Sequence, residues 1–166
     1  MKLEDHFKED FLCFDVEGNT FEELVKNVGD ILKGKNLVTE SYLKAVLKRE
    51  TEFPTGLITK SLNIGLPHTD PEHIKEPFVF IVKTKNPIKV KQMGDNQDME
   101  VENFFFLGIT QPTEQVELLQ IIMNLFMDDK FVMEFKNCAN EQECFKLLIK
   151  KLYLNDVNKK WRIVYL

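Results

Sequence analysis

The sequence predicts a single-domain α/β fold, a layered sandwich in which a mixed β-sheet is flanked by helices. Three observations predict it. The chain has 166 residues, the size of one domain with one core, and 43% of them are apolar. Two runs, "FVFIVKT" (Phe78 to Thr84) and "NFFFLGIT" (Asn103 to Thr110), are apolar almost throughout. That is the pattern of strands buried on both faces by helices. Around them, apolar residues recur at helical spacing, giving the order strand, two helices, several strands, then two or three helices.

The elements follow in chain order. "DFLCFDV" (Asp10 to Val16) is an apolar run of strand length, broken by "EGN". Thr20 and Glu23 form a T-x-x-E capping box. Phe21, Leu24, Val25, Val28, Ile31 and Leu32 follow at helical spacing, and Gly34 suits the stop. A second helix starts from Thr39 as its cap, turns Leu43, Val46 and Leu47 inward, and is stopped by Pro54 and Gly56. "GLITKSLNIGL" (Gly56 to Leu66) is partly extended. "PIKV" (Pro87 to Val90) reads as a separate short strand near an edge, because proline cannot donate to a central ladder. After a turn at Pro112, one helical stripe carries Val116, Leu119, Ile122, Met123 and Phe126. "DKFVMEF" adds a short helix. Asn140 caps a last one, with Phe145, Leu148, Ile149 and Leu152 inward. The domain spans residues 1–154, with 155–166 as a tail or extra strand of it.

Composition excludes several functions. A net charge of −5 with no basic stripe argues against nucleic acid as a partner. No run approaches the roughly 20 apolar residues of a membrane helix. The charged start "MKLEDHFKEDF" has no apolar signal core, which predicts a cytoplasmic protein. The three cysteines, Cys13, Cys138 and Cys144, show no C-x-x-C pair and read as reduced thiols. The phosphate-cradling G-x-x-x-x-G-K-[ST] and G-x-G-x-x-G patterns are absent, as is G-x-S-x-G. "HTDPEH" places His68, Asp70 and His73 close in sequence, but Pro71 prevents a simple helical arrangement and no further ligand cluster follows. Neither a metal nor an organic cofactor is expected.

His68 and Arg49 are the residues to weigh. A lone histidine at a strand end is more often a satisfied structural residue than a catalyst. The alternative is a nucleophile: with an ordinary pKa of about 6.5, much of the imidazole is neutral near pH 7. One ring nitrogen can attack phosphorus while the other donates a hydrogen bond and stays oriented. Pro67 stiffens the backbone before it, and Thr69 offers a hydroxyl and an amide to phosphate oxygens. His73 reads as a surface residue and His6 as part of an exposed N-terminal region. Arg49, in the last turn of a helix, is either dipole-favoured basic character or a fork that matches phosphate. Glu50 and Glu52 are charged surface or partners that orient Arg49. Thr55 and Gly56 would let backbone amides approach an anion.

Three segments together, "RETEFPTGL", "IGLPHTD" and "QPTEQVELLQII", resemble in order and spacing the IIA component of the bacterial sugar phosphotransferase system, in its fructose/mannitol-type superfamily. The resemblance runs from "FLCFDV" to the last helix. "LPHTD", "KQMG" and "QVELLQ" look nearest to the galactitol-type branch. The resemblance implies an α/β sandwich around a mixed sheet. It also implies a histidine that accepts a phosphoryl group from the phosphocarrier protein HPr and passes it to a cysteine of a IIB component. That component belongs to a membrane permease complex, with which the IIA protein associates peripherally. The histidine is here His68, and Arg49 matches the arginine beside it. Many members carry a second active-site histidine before the Q-V of the last motif; this chain has Thr113. Thr113 can donate to phosphate but carries no charge, and it can also cap the helix that begins near Glu114. The two roles are compatible, because a helix N-terminus favours an anion. The rivals are a regulatory IIA-like module, whose histidine phosphorylation state controls another protein, and a degenerate domain without chemistry. The sugar and the oligomeric state are open at this level.

Overall fold

A computed structural model describes the backbone of residues 1–164 and the side-chain surroundings of residues 1–153. The elements are α1 (Leu3–His6), β1 (Leu12–Val16), α2 (Phe21–Gly34), α3 (Tyr42–Glu52), β2 (Gly56–Ile58), β3 (Asn63–Gly65), β4 (Phe78–Lys91), β5 (Asp98–Gly108), α4 (Glu114–Phe126), α5 (Asp129–Lys136) and α6 (Glu141–Val164). The five strands form one mixed sheet in the order β1-β4-β5-β3-β2. β1 runs parallel to β4 and β3 parallel to β5, while β4–β5 and β2–β3 are antiparallel.

Each face of the sheet carries its own core, because side chains of a strand alternate between faces. On β5, Phe104 and Phe106 join Leu24, Val28 and Leu32 of α2 and Tyr42 and Val46 of α3. Phe105 and Leu107 join Phe7, Leu118 and Ile122 of α4, Phe131 and Phe135 of α5, and Cys144 and Leu148 of α6. The expected layered sandwich is present, with helices over both faces.

Local signals account for most boundaries. Thr20 caps α2: its hydroxyl accepts from the Glu23 amide at 3.1 Å. Glu23 returns the contact to the Asn19 amide at 2.8 Å, one residue earlier than the usual box. Gly34 is the last helical residue, but the left-handed turn after α2 belongs to Asn36, at φ 60°. Asn140 caps α6 through the Glu143 amide at 3.0 Å. The cap of α3 is Ser41 rather than Thr39, and Tyr42 behind it is a core residue that the spacing did not reveal.

Four expectations are corrected. "PIKV" is no separate strand: it is the second half of β4, joined to the first across an irregularity between Lys83 and Ile88. Pro87 is tolerated there because the β1 pairing ends at Thr84, so its missing donor leaves no ladder bond unmade. The stripe of α4 keeps Ile122 and Phe126 from the expected set but is rotated away from Val116 and Met123. Leu118, Ile122, Leu125 and Phe126 are buried, while Val116 is 74% and Met123 43% exposed. α4 is apolar on more than one face, so spacing alone fits two stripes. The N-terminal region is not wholly exposed, since α1 and Phe7 pack on the second core and His6 is only 3% exposed. Lastly, the segment from 155 is not an extra strand as far as Val164; its backbone continues α6, in which no Gly or Pro breaks the helix. Residues 165–166 lie outside the described residues.

Candidate active site

The chain beyond β3 stays against β5. His68 forms a parallel bridge with Leu107, and the Leu107 amide donates to the Pro67 carbonyl at 3.0 Å. His68 therefore lies where β5 ends, beside the start of the 109–113 loop. Gly65 makes this approach possible: a Cβ there would come within 2.6 Å of the Phe104 ring.

His68 is 6% exposed. Its Nδ1 lies 2.7 Å from the Leu66 carbonyl oxygen. A carbonyl only accepts, so Nδ1 carries the hydrogen and the lone pair is on Nε2. Burial holds the His68 pKa below the ordinary value of 6.5, and the positive charge of Arg49 pushes the same way. The Leu66 hydrogen bond and the Asp70 charge oppose the shift without cancelling it. The result is a neutral, oriented imidazole with Nε2 unoccupied by any hydrogen bond among the described residues.

Arg49 comes from the last turn of α3. Its guanidinium lies over the Phe53 ring at 4.8 Å and faces Asp70 at 3.6 Å through Nη1. Its Nε is buried without a hydrogen-bond partner. Phe53 thus holds the fork, and the fork keeps donors to spare. A cleft of about 320 Å³ opens here, lined by Arg49, Lys48, Ser41, Thr69, Asp70 and His73 among others. Thr69 is buried beside the site.

The remaining expected residues fall differently. The Thr55 amide and hydroxyl both donate to the Glu50 carboxylate, so they are engaged with a carboxylate of the protein itself. Glu50 consequently faces Thr55 rather than orienting Arg49; the acid beside Arg49 is Asp70. Gly56 serves close packing: a Cβ would meet the Lys91 carbonyl at 2.5 Å and Met99 Sδ at 2.6 Å. Thr113 stands exposed at the N-cap of α4 and makes no capping hydrogen bond through its hydroxyl. His73 is half-buried, with Nδ1 2.6 Å from the Ser41 hydroxyl and Nε2 3.4 Å from Glu72. His6 lies 3.5 Å from Glu114, the first residue of α4. Among the described residues no group of three or more His, Cys, Asp or Glu side chains is placed to hold a metal ion. No described helix is long and apolar enough to cross a membrane. The contacts of Asp70, Phe53 and the Glu50–Thr55 pair were not foreseen. Asp70 meets Arg49 from a distant loop and Thr55 meets Glu50 across the helix exit, where no periodicity reports a contact, while Phe53 stands four residues after Arg49, a helical spacing that could have signalled it.

Comparison with known proteins places the chain as a whole in a family. The family model described as "Phosphoenolpyruvate-dependent sugar phosphotransferase system, EIIA 2" matches residues 5–151. The galactitol-specific EIIA component of Escherichia coli (strain K12) is 27% identical over 100 residues, 60% of this chain and 67% of the relative. The ascorbate-specific EIIA component of the same strain is 28% identical over 151 residues, 89% of this chain and 96% of the relative. Among solved structures, the complex of enzyme IIAMTL and phosphorylated enzyme IIBMTL from Escherichia coli matches with a TM-score of 0.70. That match covers 87% of this chain and 97% of that one at 16% identity, which is a likeness of fold.

Proposed function

The chain belongs to the EIIA 2 family of the phosphoenolpyruvate-dependent sugar phosphotransferase system, a phosphotransferase component, and from that premise we propose that His68 carries its phosphoryl group. The observation that carries this reading is the Nδ1 contact to Leu66, which leaves the Nε2 lone pair for phosphorus beside an arginine with unused donors. The donor is HPr in its phosphohistidine form. The Nε2–P bond forms as the P–N bond of the donor breaks, and the donor nitrogen leaves with the electron pair. His68 keeps its Nδ1 hydrogen, and the positive charge that develops on the ring is met by the Leu66 carbonyl. Arg49 balances the phosphoryl oxygens, which its planar fork fits in a bidentate manner. Thr69 adds a hydroxyl or an amide, and Thr113, at the start of α4, is the residue that the motif resemblance sets against a second histidine of the family.

The acceptor is a IIB component. This is supported by the shared fold with a IIA protein solved together with phosphorylated IIB. The setting is cytoplasmic, at a membrane permease. A galactitol-like sugar alcohol is the substrate favoured by "LPHTD", "KQMG" and "QVELLQ"; the ascorbate relative aligns over more of the chain, so both solutes belong in an uptake assay. The test is incubation with phosphoenolpyruvate, enzyme I and HPr. Acid-labile phosphate should appear on the wild type, vanish in His68→Ala and persist in His73→Ala. Full labelling of His68→Ala would end the reading.

A further inference from the structure

We propose that Glu50 and Thr55 are positioning residues for His68: a carboxylate and a hydroxyl that fix the Leu66 main chain and thereby select which ring nitrogen carries the proton. The inference rests on the reading of His68 as the phosphoryl carrier and extends it to residues outside the reacting centre.

The contacts form an unbroken chain. Glu50 Oε1 accepts from the Thr55 amide at 3.0 Å, and both Glu50 oxygens lie within 3.1 Å of the Thr55 hydroxyl. A carboxylate only accepts, so the hydroxyl directs its hydrogen at Glu50 and presents its lone pairs elsewhere. One lone pair accepts from the Leu66 amide at 3.2 Å. The carbonyl of the same residue accepts from His68 Nδ1 at 2.7 Å. Each link leaves the next a single direction: carboxylate sets hydroxyl, hydroxyl sets Leu66, and Leu66 sets the ring. Thr55 is buried, so no water competes freely for its hydroxyl.

Fold stability alone does not account for the carboxylate. Among the described residues no Lys or Arg lies within ion-pair distance of Glu50, and the neighbouring Arg49 pairs with Asp70. Burial raises the Glu50 pKa, which means that the charged form is disfavoured where it sits. A glutamine of the same shape would escape that penalty. What the charge adds is a stronger, one-way acceptor for Thr55. The chemistry has a use for such control. With the hydrogen on Nδ1, the lone pair on Nε2 can attack; with the hydrogen on Nε2, it cannot, and the ring nitrogen opposite fixes that choice.

The experiment is ¹⁵N NMR of the histidine rings in the intact, unphosphorylated chain, beside the rate of phosphate uptake from HPr. The wild type should show His68 with the hydrogen on Nδ1. Thr55→Val, which removes the hydroxyl at similar volume, should lose that preference and slow uptake at least tenfold, and Thr55→Ser should retain both. A folded Thr55→Val protein whose His68 keeps the Nδ1–H signature would overturn the proposal. Should Thr55→Val fail to fold, Glu50→Ala is read by the same two measurements and the same criterion. The tautomer is read without phosphate, so a wild type that takes up none would sink the phosphoryl-carrier reading while the NMR result still decides the role of Glu50 and Thr55.

Discussion

His68 is held neutral by burial, and that has a sign that can be measured. Its folded pKa lies below the ordinary 6.5. The folded state therefore binds fewer protons than the unfolded chain just below that value. The resulting contribution to stability is complete above about pH 6.5 and declines as pH falls from there towards the folded pKa. Urea midpoints of wild type and His68→Ala should therefore differ by an amount that depends on pH in this window; parallel midpoint curves would contradict it. Arg49→Lys keeps the charge and loses the fork, so transfer to His68 should slow more than tenfold, on the order of 1.4 kcal/mol or more. Equal rates in rapid-quench measurements would return Arg49 to an ordinary helix-end residue. For Thr113 the structure separates two roles that the sequence left together. Its hydroxyl caps nothing, so Thr113→Val should leave the denaturant midpoint unchanged, where a working cap would cost roughly 1 kcal/mol. A drop of that size would mean that the hydroxyl caps α4 after all. At this scale the sequence was informative where chemistry is local. Pro67-His68-Thr69 and Arg49 could be singled out from neighbouring letters. The Glu50–Thr55 contact could not, because it depends on how a helix exit turns back under a strand.

Between elements, the β2–β3 hairpin closes against the β4–β5 hairpin. Gly56 bridges to Gln92, and its carbonyl accepts from the Met93 amide at 2.7 Å. Gly56→Ala would bring a Cβ within 2.5 Å of the Lys91 carbonyl oxygen. Met99 can swing away, but a main-chain oxygen in a ladder cannot yield without displacing the strand. The substitution should lower stability by roughly 1–3 kcal/mol, read as a denaturant midpoint. It should also slow phosphate uptake, since Thr55 is the preceding residue. A variant as stable as the wild type would show that the hairpins slide apart at no cost. The same comparison of elements explains which parts were readable. α2, a capped helix with one apolar face, could be placed from Thr20 and its spacing; for α6 Asn140 gave the start, but Ile149, expected inward, is 38% exposed beside buried Leu148 and Leu152, and the helix runs on to Val164. In α4 the spacing finds Ile122 and Phe126, which are buried, but Val116 and Met123 fit the same periodicity as well as Leu118 and Leu125 do, and only the sheet beneath decides between them. Similarly, the first half of β5, Asp98 to Glu102, alternates exposed and buried residues and becomes a strand by pairing with the half of β4 that holds Pro87.

Across the whole molecule, a single sheet separates two cores, and β5 contributes to both with successive residues. Phe104 meets Phe21 at 6.3 Å and Phe106 at 6.1 Å on the α2–α3 side. Phe105 meets Phe126 edge-on at 5.3 Å and stacks with Phe135 at 5.8 Å on the α4–α6 side. Neither face can open without freeing β5, and freeing β5 removes the floor of the other core. The same strand pairs with β3 and bridges His68, so the site shares the fate of both layers. Cooperative unfolding of the whole domain is therefore expected despite its two cores. Phe104→Leu and Phe105→Leu each remove ring contacts from one face only, and each should lower stability by about 1–2 kcal/mol. If β5 couples the layers, both variants should unfold in one transition. Far-UV circular dichroism and amide protection of α2 and α6 should then report the same midpoint. A Phe105→Leu protein in which α6 loses protection well before α2 would show that the layers unfold separately.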